Sequence, residues 1–210
     1  NYDAQPVVKG LNLAIPPGEM VVFLGPSGCG KTTTLMMTAG LTEVTSGEIF
    51  FDGKKVNELH PKDRNIGMVF QSYALYPHMN VLENMTFALK LKGVSANIRR
   101  EKAQRIAKLL EIGHLLERKP SELSGGQQQR VSLGRALIKE PGILLFDEPL
   151  SNLDAALRMT LRSEIRKLQV ELGITSIYVT HDQAEALAIA DKVAVMMNGV
   201  LLDFTTPEKL

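Results

Sequence analysis

The sequence predicts an α/β fold in which helices cover both faces of a mostly parallel sheet, and three observations carry that prediction. Short runs such as MVVFL at residues 20–24 and ILLF at 143–146 are wholly apolar, as strands buried on both faces are. These runs alternate with segments of helical period. The glycine-rich stretch GPSGCGKTT, residues 25–33, lies where the first run hands over to a helix, a place where sheets of this kind bind ligands.

Bulk composition sets the frame. At 210 residues and 44% hydrophobic, the chain can form one large domain or a core with an inserted subdomain. Its 24 basic and 23 acidic side chains leave a net charge of +1, so no overall excess marks the surface for nucleic acid or anionic lipid. The single cysteine, Cys29, excludes an internal disulfide and agrees with a reducing compartment. No apolar run approaches the roughly 20 residues that cross a bilayer, and no signal peptide opens the chain. Because the sequence starts at Asn1 and stops at Leu210 in what reads as a first helical turn, elements are expected to be missing at either end.

Taken in order, residues 8–15 alternate apolar and polar in part and read as an exposed strand, ended by Pro16, Pro17 and Gly18. The buried strand at 20–24 leads to the glycine stretch and a helix that Gly40 caps. Residues 46–60 read as a hairpin turning at Asp52 and Gly53. A second buried strand at 65–71 ends in Gln71, followed by an aromatic, aperiodic loop over 72–79. Residues 81–140 are mostly helical: Ala103, Ile106, Ala107 and Leu110 fall on one face, and a further helix over 128–139 ends before Pro141. The apolar strand at 142–146 runs into Asp147, Glu148 and Pro149. A long helix then places Leu157, Leu161, Ile165, Leu168 and Leu172 on one face, with Gly173 as its stop. A strand over 174–179 precedes Thr180 and His181, and Asp182 with Glu185 resembles a capping box that opens a helix to Ala190. A hairpin at 192–204 turns at Asn198 and Gly199.

The chemistry begins at residues 25–33. Gly25, Gly28 and Gly30 let the backbone wrap closely and turn its N–H groups inward, and the positive end of the next helix points at the same spot. Lys31 adds a charge that can reach a β- or γ-phosphate, and the Thr32 hydroxyl is placed for Mg²⁺. Cys29 lies among the inward-turned amides near Lys31, surroundings that favour thiolate, so thiol reagents are expected to reach it. Gln71, Asp147, Glu148 and His181 each end or follow a strand that the sheet aligns with the first one, so four distant positions converge on one phosphate site. Asp147 suits Mg²⁺, Glu148 can orient or deprotonate an attacking water, Gln71 can bond the metal shell and that water, and His181 can donate to a γ-phosphate. Singly, an acidic pair before proline is as often a turn element, and a lone histidine or glutamine is more often structural. Behind a complete phosphate loop the combination points to a P-loop NTPase. His60, His78 and His114 share no metal-ligand spacing.

With LSGGQ at residues 123–127, the chain resembles the nucleotide-binding subunits of ATP-binding-cassette (ABC) transporters. GPSGCGKTT, FQ at 70–71, ILLFDEP at 143–149, SNLD at 151–154 and THD at 180–182 extend the resemblance over essentially the whole chain. The family implies an ATP-hydrolysing core over 1–71 and 142–210 with an antiparallel β subdomain, and a helical subdomain over 72–141 that carries LSGGQ. It implies a head-to-tail dimer in which ATP and Mg²⁺ lie between the loop of one subunit and the LSGGQ of the other. Gly25, Pro26, Ser27, Gly28, Cys29, Gly30, Lys31, Thr32 and Thr33 would hold the nucleotide, and across the interface Ser124, Gly125, Gly126 and Gln127 would face it, with Asp154 alongside. Tyr2 would stack on adenine; Thr32, Gln71 and Asp147 would serve the metal; Glu148, His181 and Gln71 would carry catalysis.

The loop YALYPHMNVLEN, residues 73–84, is similar to that of importer ATPases for sugars and related solutes. Residues 72–81 would then dock on transmembrane permease subunits at the cytoplasmic face of the membrane, with an external solute-binding protein as an indirect partner and no nucleic acid expected. Such importers often carry a further C-terminal regulatory domain, which the resemblance leads one to expect beyond Leu210. The alternatives are a non-transport ABC ATPase acting on nucleic acid or the ribosome, and a P-loop kinase, which gives no reason for LSGGQ.

Overall fold

The computed structural model describes residues 6–210. Its elements run β1 (Met20–Leu24), α1 (Lys31–Ala39), β2 (Phe50–Phe51), β3 (Lys54–Lys55), β4 (Ile66–Val69), α2 (Val81–Leu91), α3 (Ala96–Leu109), α4 (Gly125–Leu137), β5 (Ile143–Asp147), α5 (Ala155–Leu172), β6 (Thr175–Thr180), α6 (Gln183–Ile189), β7 (Lys192–Met197) and β8 (Val200–Thr205). Six strands form one sheet in the order β4-β5-β6-β1-β7-β8. The first five are parallel, and β8 is an antiparallel edge strand.

Why the apolar runs are unbroken is visible in β1. Met20, Val22 and Leu24 pack into one cluster, with residues of α2, α3, α4 and α5, while Val21 and Phe23 pack into another, with Leu35 and Ala39 of α1. A strand alternates its side chains between faces, so covering both faces demands apolar residues at every position. In α5 the residues Leu161, Ile165 and Leu168 are buried, each such side chain contributing about 1.5–3 kcal/mol. Leu172 is exposed, and the sequence expectation for it fails at the last turn, where Gly173 at φ 61° stops the helix. Gln169 takes the inward place instead and donates to the carbonyls of Gly18 and Ile174.

The helix α1 is held at its tail as well as its head. Arg64, buried ahead of β4, donates to the carbonyls of Met37 and Thr38 in the last turn of α1 and to those of Asn57 and Leu59 beyond the small β2–β3 hairpin. Burial pushes its guanidinium below the ordinary arginine value.

Four local expectations change. Residues 8–15 form no strand; Leu13 and Ile15 still pack on the second cluster, while Lys9 N–H donates to the Gly199 carbonyl at 2.7 Å. The strand expected over 65–71 is β4 and stops at Val69, leaving Gln71 in a turn. The helix expected over 128–139 starts at Gly125, because Ser124 and Gln127 cap it there. Asp182 does cap α6, but the Glu185 side chain turns into the core rather than back to the Asp182 amide.

Candidate functional site

Parallel pairing brings the strand ends together. Leu24 pairs with Thr180, Asp147 with Val179 and Val69 with Phe146, so Gln71, Asp147, Glu148 and His181 emerge on the same edge as residues 25–33. Tyr2 lies outside the described residues.

The cradle is built from backbone. Gly30 adopts φ 102° and ψ 0° at the head of α1, a left-handed conformation that favours glycine. Without a capping side chain there, the amides of Lys31, Thr32 and Thr33, and those of Ser27, Gly28 and Gly30, donate to no acceptor among the described residues. Such an array at a helix N-terminus favours an anion. Lys31 is buried, and its ammonium donates to the carbonyls of Gly25 at 2.7 Å and Pro26 at 2.8 Å. Cys29 corrects the sequence expectation: its thiol is 2% exposed and sits in the apolar cluster with Val21, Phe23 and Met196, shut away from reagents. The Cys29 amide donates to the Pro26 carbonyl at 3.3 Å, and its carbonyl accepts from the Gly199 amide at 3.0 Å.

Two side-chain pairs join the strand ends to this cradle and to each other. The Thr32 hydroxyl donates to Asp147 Oδ1 at 2.9 Å. Burial pushes the Asp147 carboxyl above its ordinary value, the Thr32 bond opposes this, Glu148 adds to it and Lys31 opposes it. No group of three or more His, Cys, Asp and Glu side chains among the described residues could hold a metal unaided. The hydroxyl and carboxylate oxygens nonetheless fit Mg²⁺, which takes few protein ligands and completes its shell with phosphate oxygens and water. Glu148 Oε2 lies 3.0 Å from His181 Nδ1. Glu148 has φ 42° while its amide donates to the Val179 carbonyl, a left-handed backbone costing about 1–3 kcal/mol away from glycine. The end of β6 thus fixes both members of that pair.

Gln71 is exposed, and its carbonyl accepts from Asn152 Nδ2 at 2.9 Å. The loop that follows is held by α4: Ser132 and Arg135 both donate to the Tyr73 carbonyl, and Arg135 also to that of Ala74. Asn152, Ser132 and Arg135 escaped the sequence reading, since a polar residue that serves a distant carbonyl carries no local signature.

Residues 123–127 stand apart from the cradle, with no hydrogen bond between them among the described residues. At the head of α4 the Ser124 oxygen accepts from the Gln127 amide, and Gln127 Oε1 accepts from the Ser124 amide at 2.9 Å. A side chain on Gly126 would lie 3.1 Å from Leu157 of α5, so the turn is packed closely on the start of that helix. Asp154 caps α5 by accepting from the Leu157 amide at 3.0 Å. The structure therefore packs the turn of Ser124, Gly125, Gly126 and Gln127 on the start of α5 that Asp154 caps, while Asp147 alone bonds the cradle, Glu148 and His181 bond each other on the same strand-end edge, and Gln71 is joined to Asn152.

Residues 8–151 match the sequence profile of the family described as ABC transporter. The chain is 56% identical over 210 residues to the sn-glycerol-3-phosphate import ATP-binding protein UgpC 1 of Rhizobium johnstonii, spanning 57% of that protein. It is 52% identical to the maltose/maltodextrin import ATP-binding protein MalK of Mannheimia succiniciproducens, spanning 56% of it. The chain thus covers little more than half the length of these curated relatives. Among solved structures, the dimeric post-hydrolysis state of the ATP-binding cassette MJ0796 bound to ADP and Pi is similar with a TM-score of 0.83 at 34% identity, over 96% of this chain and 90% of that one. Strand order, motif order and sequence identity all lead to the same place, and the chain belongs to the ABC transporter family.

Proposed function

We propose that this chain is the ATP-binding and ATP-hydrolysing part of an ABC importer subunit, powering solute uptake, of sugars above all, through separate permease subunits. The import roles in the names of its relatives support transport over the nucleic-acid alternative. No described helix is long and apolar enough to cross a membrane, which fits a peripheral subunit at the cytoplasmic face. Residues 1–71 and 142–210 form its catalytic core and 72–141 its helical subdomain, with 72–81 as the permease-docking segment.

The observation that carries this reading is the pairing of Thr32 with Asp147 and of Glu148 with His181 on one sheet edge beside the open amides of α1. The cradle amides and Lys31 bind the phosphates, the ammonium leaving the Gly25 and Pro26 carbonyls to do so. Thr32, Asp147 and Gln71 would hold Mg²⁺, which when bound would neutralise charge on the phosphate oxygens. Glu148 orients the attacking water and accepts its proton. His181, with Nδ1 against Glu148, keeps Nε2 for the terminal phosphate. In the closed dimer, Ser124 and Gly126 of a second copy complete the site, with Asp154 along the same interface and Tyr2 against adenine.

Sizing the Glu148→Gln protein with and without ATP tests the proposal. The variant is expected to bind ATP, to lose about 100- to 10,000-fold in kcat, and to elute as a dimer only with ATP. Wild-type turnover, or a monomer under both conditions, would overturn it.

A further inference from the structure

The strand β6 carries Tyr178 and Thr180 two residues apart, so both hydroxyls leave the same face. Both donate to one carboxylate: Tyr178 to Glu185 Oε1 at 2.6 Å, and Thr180 to Glu185 Oε2. All three residues are buried, at 0%, 2% and 4% exposure for Tyr178, Thr180 and Glu185. The Thr180 oxygen also accepts from the Asp182 amide at 3.0 Å, and Asp182 Oδ1 accepts from the Glu185 amide at 3.1 Å. The result is a closed ring of hydrogen bonds around His181, the one residue between Thr180 and Asp182.

A buried carboxylate is costly unless it is satisfied, and an apolar residue would fill this place on α6 without that cost. What the carboxylate supplies is direction. Glu185 Oε2 holds the hydroxyl of Thr180, whose oxygen accepts from the Asp182 amide and so holds the peptide after His181, while the Tyr178 hydroxyl holds Oε1. The neighbouring Val179 carbonyl holds the Glu148 amide. Arg158 extends the ring outward, lying 3.5 Å from Asp182 Oδ2 and donating to the Leu153 carbonyl, one residue before Asp154.

We propose that Glu185 is a positioning residue for the His181–Glu148 pair, its buried carboxylate aiming the imidazole through the hydroxyls of Tyr178 and Thr180. The proposal rests on the reading above that His181 and Glu148 attend the terminal phosphate. It assigns Glu185 no contact with nucleotide, water or metal.

The test compares Thr180→Val, Thr180→Ser, Glu185→Gln and His181→Ala by steady-state ATP hydrolysis and by the ¹⁵N resonances of the His181 ring, one of only four histidines in the chain. Thr180→Val and Glu185→Gln are expected to lower kcat about 10-fold, less than the roughly 100-fold that a 1 Å misplacement can cost, with KM for MgATP held within about twofold. They should also displace the His181 resonances, and Thr180→Ser should restore both quantities. If Thr180→Val does not fold, Tyr178→Phe removes one hydroxyl from the same carboxylate and is expected to give about a threefold loss in kcat with a like displacement.

Unmoved His181 resonances with wild-type kcat would overturn the proposal. So would a loss that Thr180→Ser fails to rescue, since that is mere packing. Wild-type turnover by His181→Ala would instead sink the role given to His181 in hydrolysis, while a displaced ring in Thr180→Val would still uphold the positioning.

Discussion

The heads of α1 and α4 are both glycine-rich, yet they differ in whether a side chain caps them. At α1, Gly30 supplies no cap, and the first-turn amides stay open. At α4, Ser124 and Gln127 satisfy one another in a closed capping box. The first arrangement leaves all its first-turn amides open, whereas the second spends those of Ser124 and Gln127 on the box and leaves those of Gly125 and Gly126 without an acceptor among the described residues. Ser124 uses its oxygen as acceptor in the box, so its hydroxyl hydrogen remains free to donate. That difference is what the proposed site, shared between the head of α1 in one copy and the head of α4 in another, would use.

Substitutions at the two heads sharpen or break that contrast. The largest effect is expected from Lys31→Ala: titration should show nucleotide affinity falling about 10- to 100-fold, the loss of one or two charge-assisted bonds. Equal affinity would mean that the head of α1 is not the primary site. Ser124→Ala should leave the affinity of the isolated chain intact but lower turnover at saturating ATP by about 10-fold, one hydrogen bond to a charged acceptor, and lower stability by about 1 kcal/mol through the lost cap. If it instead weakens binding as much as Lys31→Ala, the two heads do not differ in kind. Gln127→Ala opens the box from the other side and is expected to cost about 0.5 kcal/mol in thermal unfolding, with less effect on turnover than Ser124→Ala.

The smallest effect concerns Asp147, which anchors the head of α1 through Thr32. Burial raises its folded-state value above the unfolded one, so the folded state binds the proton more readily than the unfolded chain. Its contribution to stability is therefore greatest below the unfolded value and is lost as pH rises through the raised one. Asp147→Asn should flatten that dependence and raise the nucleotide-free thermal midpoint slightly at neutral pH, by about 2–4 °C for each kcal/mol relieved. An unchanged pH dependence would show that burial is compensated elsewhere.

Much of this was legible from residues alone where one physical rule dominates. Apolar runs such as residues 143–146 declare two-sided burial, Gly40 and Gly173 end helices, and Asn198 with Gly199 turns a hairpin. What escaped was long-range polar contact. Asp182 and Glu185 satisfied a local pattern, but two hydroxyls on the preceding strand outbid the cap for the Glu185 carboxylate. The alternation of Tyr178 and Thr180 with the apolar Ile177 and Val179 is the available clue. Residues 8–15 misled for the converse reason: Leu13 and Ile15 alternate as a strand would and pack as one, without neighbours to form a ladder. The Cys29 side chain was misplaced because a loop sequence does not tell which of its residues turns inward.

Arg64 gives the rod α1 a second terminal. Its guanidinium closes on the electronegative tail of the helix, at Met37 and Thr38, while the electropositive head is left bare. A polarised rod already neutralised at one pole carries its unmet charge at the other, and that pole draws an incoming polyphosphate. Because the same guanidinium grips the Asn57 and Leu59 carbonyls, the tail of the rod is tied to the segment that follows the small hairpin without passing through the sheet.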